Sequence, residues 1–89
     1  MNYQDLSDKI SLMPFDEAIA FLTDFINDNP RSTDALTLRG MKYFGAGQRA
    51  AAINDYLAAL NIDPECKAKL ALQSANSILD YYNKDLYNP

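Results

Sequence analysis

Apolar side chains recur along this chain at steps of three and four residues, which is the spacing of one face of an α-helix. In residues 2–12, Tyr3, Leu6, Ile10 and Met13 follow this spacing. A second stretch, which Pro14 introduces and which ends near residue 27, has a wider apolar face. No segment alternates apolar and polar residues as a strand does. The pattern therefore predicts an all-α fold of antiparallel helix pairs.

Turn-forming residues divide the rest of the chain into further helices. Ser32 or Thr33 is expected to cap a third helix, because their hydroxyl groups can accept from free backbone N–H groups. Gly45 and Gly47 then break the chain before a fourth helix, and Pro64 ends that helix. The predicted helices cover residues 32–44, 48–61 and 65–82, and an irregular tail covers residues 83–89.

Small and large residues in the central part of the chain predict close helix packing. Gly40 lacks a side chain where two helices should cross, and Ala52 and Ala59 lie two turns apart on one face of the fourth helix. Tyr43 and Tyr56 are large enough to fill the space beside them. A bulky side chain forced into such a crossing costs about 1–3 kcal/mol.

Residues 32–64 resemble the tetratricopeptide repeat, a helix pair with a period of about 34 residues, which is the spacing of Pro30 and Pro64. Leu36 stands where the family usually has tryptophan, and Arg39 where it usually has leucine. The preceding unit matches mainly in its second helix. The matching residues are Leu36, Arg39, Gly40, Tyr43, Ala52, Tyr56, Ala59 and Pro64 in the central unit, and Ala18, Leu22 and Pro30 in the preceding one.

The resemblance implies one domain, 1–89, forming a short right-handed superhelical array of about five helices. Its first unit (2–30) is degenerate, its second (32–64) matches well, and residues 65–82 form a C-terminal capping helix before the tail (83–89). Each unit of such an array buries its apolar face against its neighbours. The motif indicates a fold and is nearly silent on the ligand.

The amino-acid composition disfavours several classes of function. The net charge is −4, no histidine is present, and lysines and arginines are spread singly, which weighs against nucleic-acid and membrane partners. Cys66 is the single cysteine, so the chain can form no internal disulfide, and a cytoplasmic location is expected. The aspartates have no metal-loop spacing. We expect no catalytic, cofactor or metal site, and hence no enzyme.

In the tetratricopeptide family the first helix of each pair lines a concave groove that binds protein partners. This resemblance implies a groove that holds a peptide or partner helix and is lined by Thr37, Met41, Phe44, Ala71, Ala75 and Ile78. The competing interpretation is that Phe44 and Ile78 pack against each other and the tail. A family subtype clamps chaperone C-terminal tails with basic residues. The matching positions here are not basic, which disfavours that partner: Gln4, Asp8, Leu38, Ala68 and Leu72.

The fifth helix and the tail carry a broad apolar and aromatic stripe that a capping helix does not need. Tyr82, Leu86 and Tyr87 extend it towards the end of the chain. Either the tail folds over the stripe, or a second copy of the protein covers it. The alternative function is therefore a self-assembling adaptor that dimerises through this region.

Overall fold

The computed structural model describes the backbone of residues 1–87 and the side chains of residues 1–77. This part of the chain consists of helices joined by short turns, and it contains no strand. The all-α prediction is therefore confirmed. The helices are α1 (Tyr3–Ile10), α2 (Phe15–Asp28), α3 (Thr33–Gly45), α4 (Arg49–Ile62) and α5 (Ala68–Tyr87).

Short polar residues cap the starts of α1 and α3, and a glycine turn precedes α4. The Asn2 side chain accepts a hydrogen bond from the Asp5 N–H at 2.9 Å, and the Asp5 carboxylate accepts from the Asn2 N–H at 3.4 Å, which forms a capping box. Ser32 caps α3 as predicted, since its Oγ accepts from the Ala35 N–H at 3.2 Å. Gly47 adopts a φ of 83° between α3 and α4, a conformation that glycine takes without strain.

The bounds of α5 differ from the prediction at both ends. The helix begins at Ala68 rather than at residue 65, because Asp63 accepts from the Glu65 N–H at 3.0 Å and holds residues after Pro64 in a turn. It continues to Tyr87 rather than ending at residue 82, and residues 83–87 contain neither glycine nor proline to stop it. The predicted irregular tail is therefore wrong for residues 83–87, and residues 88–89 lie outside the described part.

Two apolar clusters form the core, and α3 supplies residues to both. On one side, Ala35 and Leu38 face α1 and α2; on the other, Leu36 faces α4 and α5. Helix α3 also contacts all four other helices. Helices α1 and α5 therefore both pack against α3, one on each side of it. The buried clusters comprise Leu6, Ile10, Ala18, Leu22, Ala35 and Leu38, and Leu36, Ala52, Tyr56, Ala59, Ala68 and Ala75.

The crossing of α3 and α4 leaves no room for a side chain at position 40. A Cβ atom on Gly40 would lie 2.5 Å from Cε1 of Tyr56 and 3.1 Å from the carbonyl oxygen of Ala52. Ala52 and Ala59 are fully buried, and Tyr43 is half-buried beside the same crossing. Small residues therefore allow the two backbones to approach closely at this crossing. Pro30 and Pro64 are exposed. They directly follow Asn29 and Asp63, the C-cap residues of α2 and α4.

Arg39 joins three helices through its guanidinium group. It donates to the Asp55 carboxylate from Nε at 2.8 Å and from Nη2 at 2.7 Å, and from Nη1 to Oγ1 of Thr23 at 3.2 Å. Its side chain is 19% exposed and that of Asp55 only 8%. The hydrogen bonds to Asp55 raise the pKa of Arg39 above its ordinary value. Arg39 stands where the resembled family usually has leucine. The neighbouring Leu38 is buried and provides an apolar contact in its place.

Among the helices that the structure describes, we find none that combines the length and the apolar character needed to cross a bilayer.

Candidate interaction groove

Helices α1, α3, α4 and α5 contribute side chains to two adjoining clefts, which together we call the α3–α5 groove. The Phe44 cleft has a volume of about 250 Å³, and the Tyr3 cleft about 400 Å³. They share Met41, Ala71 and Ser74, so the groove is continuous. Met41, Phe44, Tyr56, Ala71, Ser74 and Ala75 line the Phe44 cleft, and Tyr3, Thr37, Met41, Lys67, Leu70, Ala71 and Ser74 line the Tyr3 cleft.

The structure brings most of the predicted groove residues together, but they differ in how far their side chains are exposed. Met41 is 44% exposed and lines both clefts, while Phe44 and Ala71 are half-buried. Ala75 is buried and can only form part of the floor. Thr37 is also fully buried, and its hydroxyl donates to the Thr33 carbonyl oxygen at 2.7 Å. The Thr37 hydroxyl is therefore already used within α3. The side chain of Ile78 lies outside the described residues.

The 34-residue repeat period does not predict the environment of Leu70. It aligns Leu70 with the buried Leu36, yet the Leu70 side chain is 71% exposed and lines the Tyr3 cleft. Ala68 and Ala75 pack into the core instead. Small alanines let α5 lie close against its neighbours, and no further helix follows within residues 1–87 to cover Leu70. This rotation adds an apolar side chain to the groove.

Sequence reasoning did not predict that Tyr3 on α1 and Lys67, in the turn before α5, would line the groove. The Tyr3 hydroxyl donates to Sδ of Met41 at 3.7 Å, and Nζ of Lys67 lies 4.8 Å from the centre of the Tyr3 ring. Lys67 also borders a third cleft, of about 330 Å³, with the polar residues Asn2, Gln4 and Asp34. These contacts join positions far apart in sequence, and no local pattern marks them. The single signal in the sequence was Tyr3, an aromatic residue at the start of a short helix.

The groove offers apolar surface rather than reactive groups. Within the described residues, no three acidic or cysteine side chains come close enough together to hold a metal ion. Cys66 is half-buried beside the second core cluster. A larger cleft of about 440 Å³ lies at the turn after α2, with Phe25, Pro30 and Arg31 in its lining. None of the predicted groove residues with a described side chain lines it. The arrangement in the α3–α5 groove is suited to burying apolar side chains of another molecule.

The outer face of α5 is polar wherever its side chains are described. Lys69, Gln73, Asn76 and Ser77 are all exposed on it. A polar outer face is what a terminal capping helix of a repeat array requires. The predicted tail docking and the alternative dimer both depend on residues after 77, whose side chains lie outside the described residues. They stay predictions, and light scattering across protein concentration would test the dimer.

Tyr56 should make the folded protein less stable at alkaline pH. Burial, and then the charges of Asp55 and Tyr3, raise the pKa of Tyr56 above its usual value. The folded protein thus holds this phenol proton more tightly than the unfolded chain, whose tyrosines titrate at about 10. The resulting stability is present below about pH 10 and is lost as the pH rises above it.

We expect Tyr56→Phe to reduce the fall in stability above about pH 10, because phenylalanine keeps the ring beside Gly40 and has no proton to lose. Denaturant unfolding of both proteins, followed by circular dichroism between about pH 8 and about pH 11, measures this difference. Identical pH dependence in the two proteins would show that the ionisation of Tyr56 is not linked to folding.

Comparison with known proteins gives a match to part of one longer chain. No family model matches this chain, and no solved structure matches it. The DnaJ homolog subfamily C member 7 homolog of Schizosaccharomyces pombe is 37% identical over 51 residues. The aligned segment covers 57% of this chain and 11% of that protein. The chain is thus similar to a small segment of this curated relative.

Proposed function

We propose that this chain is a non-catalytic protein-interaction module of the tetratricopeptide type, which holds a peptide or a partner helix in the α3–α5 groove. The observation that carries the proposal is the pair of adjoining apolar clefts lined by side chains from α1, α3, α4 and α5. A shared segment that makes up only 11% of the longer protein is typical of an interaction module found in different chains. A cytoplasmic setting is part of the proposal and rests on the single cysteine, Cys66.

The exposed residues of the groove explain how it would bind. Met41 and Leu70 present apolar surface to solvent on the same side of the molecule. When a partner covers such apolar surface, its burial contributes roughly 25 cal/mol per Å² to the free energy of binding. The flexible methionine side chain can adapt to partners of different shape. A helix or an extended segment with a few apolar anchors is the kind of ligand that such a groove accepts.

We expect Phe44→Ala to weaken partner binding at least tenfold, or about 1.4 kcal/mol, because it removes one wall of the Phe44 cleft. Its effect on folding should be smaller, since Phe44 lies at the edge of the second core cluster. Partners captured from native extract by immobilised wild-type and variant proteins can be compared by mass spectrometry. Chemical unfolding of both proteins gives the effect on stability.

Phe15→Ala is the matched control, because Phe15 is an exposed aromatic residue on α2, outside the groove. Met41→Asp and Leu57→Asp form a second pair, with the wild-type side chains 44% and 51% exposed and only the first in the groove. Partners retained by a folded Phe44→Asp or Met41→Asp protein would contradict binding in the groove. Equal losses from the control variants would contradict it as well.

A further inference from the structure

Two positively charged side chains, those of Lys67 and Arg49, lie at opposite ends of the α3–α5 groove. Lys67 lies over the Tyr3 ring, with Nζ 4.8 Å from the ring centre, and Arg49 lies over the Phe44 ring, with Cζ at 5.7 Å. Each cation is thus held against the aromatic residue that marks its cleft. The two clefts lie between them and share Met41.

Neither of these cations is paired with a carboxylate among the described side chains. The ion pairs there join Arg39 to Asp55 at 2.7 Å and Lys69 to Glu65 at 3.3 Å. Asp34 borders the same third cleft as Lys67, but its carboxylate lies beyond ion-pair distance. Lys67 and Arg49 are both exposed, so both can reach a negative group on a bound molecule.

Among the side chains of residues 1–77, none that lines the two clefts is negatively charged. Of these residues, no charged one lines the Phe44 cleft, and Lys67 is the charged one that lines the Tyr3 cleft. The chain as a whole has a net charge of −4, so the positive ends of the groove contrast with the rest of the molecule. Charge arranged in this way favours a complementary ligand and repels one of the wrong sign.

We infer that the occupant of the groove is a protein segment whose apolar side chains enter the two clefts and whose acidic side chains lie on either side of them. One acidic side chain faces Lys67 and another faces Arg49. The inference rests on the proposed function and adds the chemistry of the partner. It requires side-chain carboxylates on both flanks of an apolar centre, and it requires no free C-terminus.

Selection of peptides from a random displayed library against the purified folded chain tests this inference. We expect enriched sequences to combine apolar residues with Asp or Glu on both sides. An enriched peptide, synthesised with both ends blocked and labelled with fluorescein, then gives a dissociation constant by anisotropy. Replacing its acidic residues with amides should weaken binding about tenfold at low salt, and added salt should reduce the difference.

The double variant Lys67→Gln and Arg49→Gln should weaken binding of the same peptide about tenfold. The matched control is Lys69→Gln with Arg31→Gln, which removes one lysine and one arginine and changes the net charge equally. Lys69 pairs with Glu65, and Arg31 lies at the turn after α2. An equal effect of the control pair, or no effect of the groove pair, would overturn the inference.

The selection also separates this inference from the proposed function. Apolar peptides with neutral or basic flanks, whose binding is lost in Phe44→Asp, would overturn the acidic partner and leave the groove as the binding site. Failure to enrich any peptide that depends on Phe44 would overturn both. Enrichment of peptides that bind only through a free carboxyl end would also overturn the acidic-flank inference.

Discussion

Replacing Asp55 with alanine is expected to lower the free energy of unfolding by about 2–4 kcal/mol. The carboxylate is nearly buried and accepts two hydrogen bonds from Arg39. Without it, the guanidinium group keeps Oγ1 of Thr23 as its side-chain hydrogen-bond partner. Breaking a buried pair by removing one partner typically costs about 3–5 kcal/mol. The partial exposure of Arg39 lets water reach the group, and this reduces the expected loss.

Removing both charges should restore most of that stability. In the double variant Arg39→Leu and Asp55→Leu, no charge is left uncompensated, and replacing such pairs with apolar residues is often close to neutral. A double-mutant cycle by chemical denaturation gives the coupling energy. Glu65→Ala is the control, because it breaks the exposed Lys69–Glu65 pair, which is worth about 0.2–1 kcal/mol. If Asp55→Ala costs no more than Glu65→Ala, the network does not hold the helices together.

Gly40→Ala is expected to lower the free energy of unfolding by about 1–3 kcal/mol. The new methyl group would lie 2.5 Å from the Tyr56 ring and 3.1 Å from the carbonyl oxygen of Ala52. Tyr56 is buried and cannot swing out, so α3 and α4 must move apart. This loss opposes, and should exceed, the gain of about 1 kcal/mol that alanine normally brings to a helix interior.

Gly45→Ala is the matched control, because it is the same substitution in the same helix. A Cβ atom on Gly45 would lie 2.9 Å from the Phe15 ring, but Phe15 is exposed and can rotate away. We expect a change of less than about 1 kcal/mol there. Thermal unfolding of both variants measures the difference. A Gly40→Ala protein that is as stable as Gly45→Ala would show that the crossing tolerates a side chain.

The small-residue pattern predicted the α3–α4 crossing well because packing at a crossing depends on side-chain volume, which can be read from the sequence. Gly40, Ala52, Tyr56 and Ala59 meet in one buried cluster or lie beside it. The ends of α5 were predicted less well. Its start depends on a turn in which Asp63 bonds to backbone, and its end depends on the absence of a breaker before Pro89.

The Arg39–Asp55 network was not predicted, because the spacing of the aspartates was considered for metal binding alone. A positional signal was present: Asp55 lies three residues after Ala52 and four before Ala59, on the face of α4 that is buried. A charged residue on such a face needs a partner. Arg39, which stands in place of the leucine usual in the resembled family, is that partner.

The groove was predicted in part. Met41, Phe44 and Ala71, which the resemblance to the tetratricopeptide family places in a groove, all line the Phe44 cleft. The rotation that exposes Leu70 could not be predicted, because it depends on how closely α5 packs against its neighbours and on whether another helix covers it. Lys67 and Tyr3 meet across the fold from positions distant in sequence. Single-sequence periodicity carries no information about such long-range pairs.

The central place of α3 has a consequence for how the molecule unfolds. Repeat arrays often lose their units one after another, because each unit contacts only its neighbours. Here one helix forms a wall of both core clusters, through Ala35 and Leu38 on one side and Leu36 on the other. Melting either cluster removes support from α3 and hence from the other cluster. The two cores should therefore unfold as one cooperative unit, with the backbone amides of α3 the slowest to exchange with solvent.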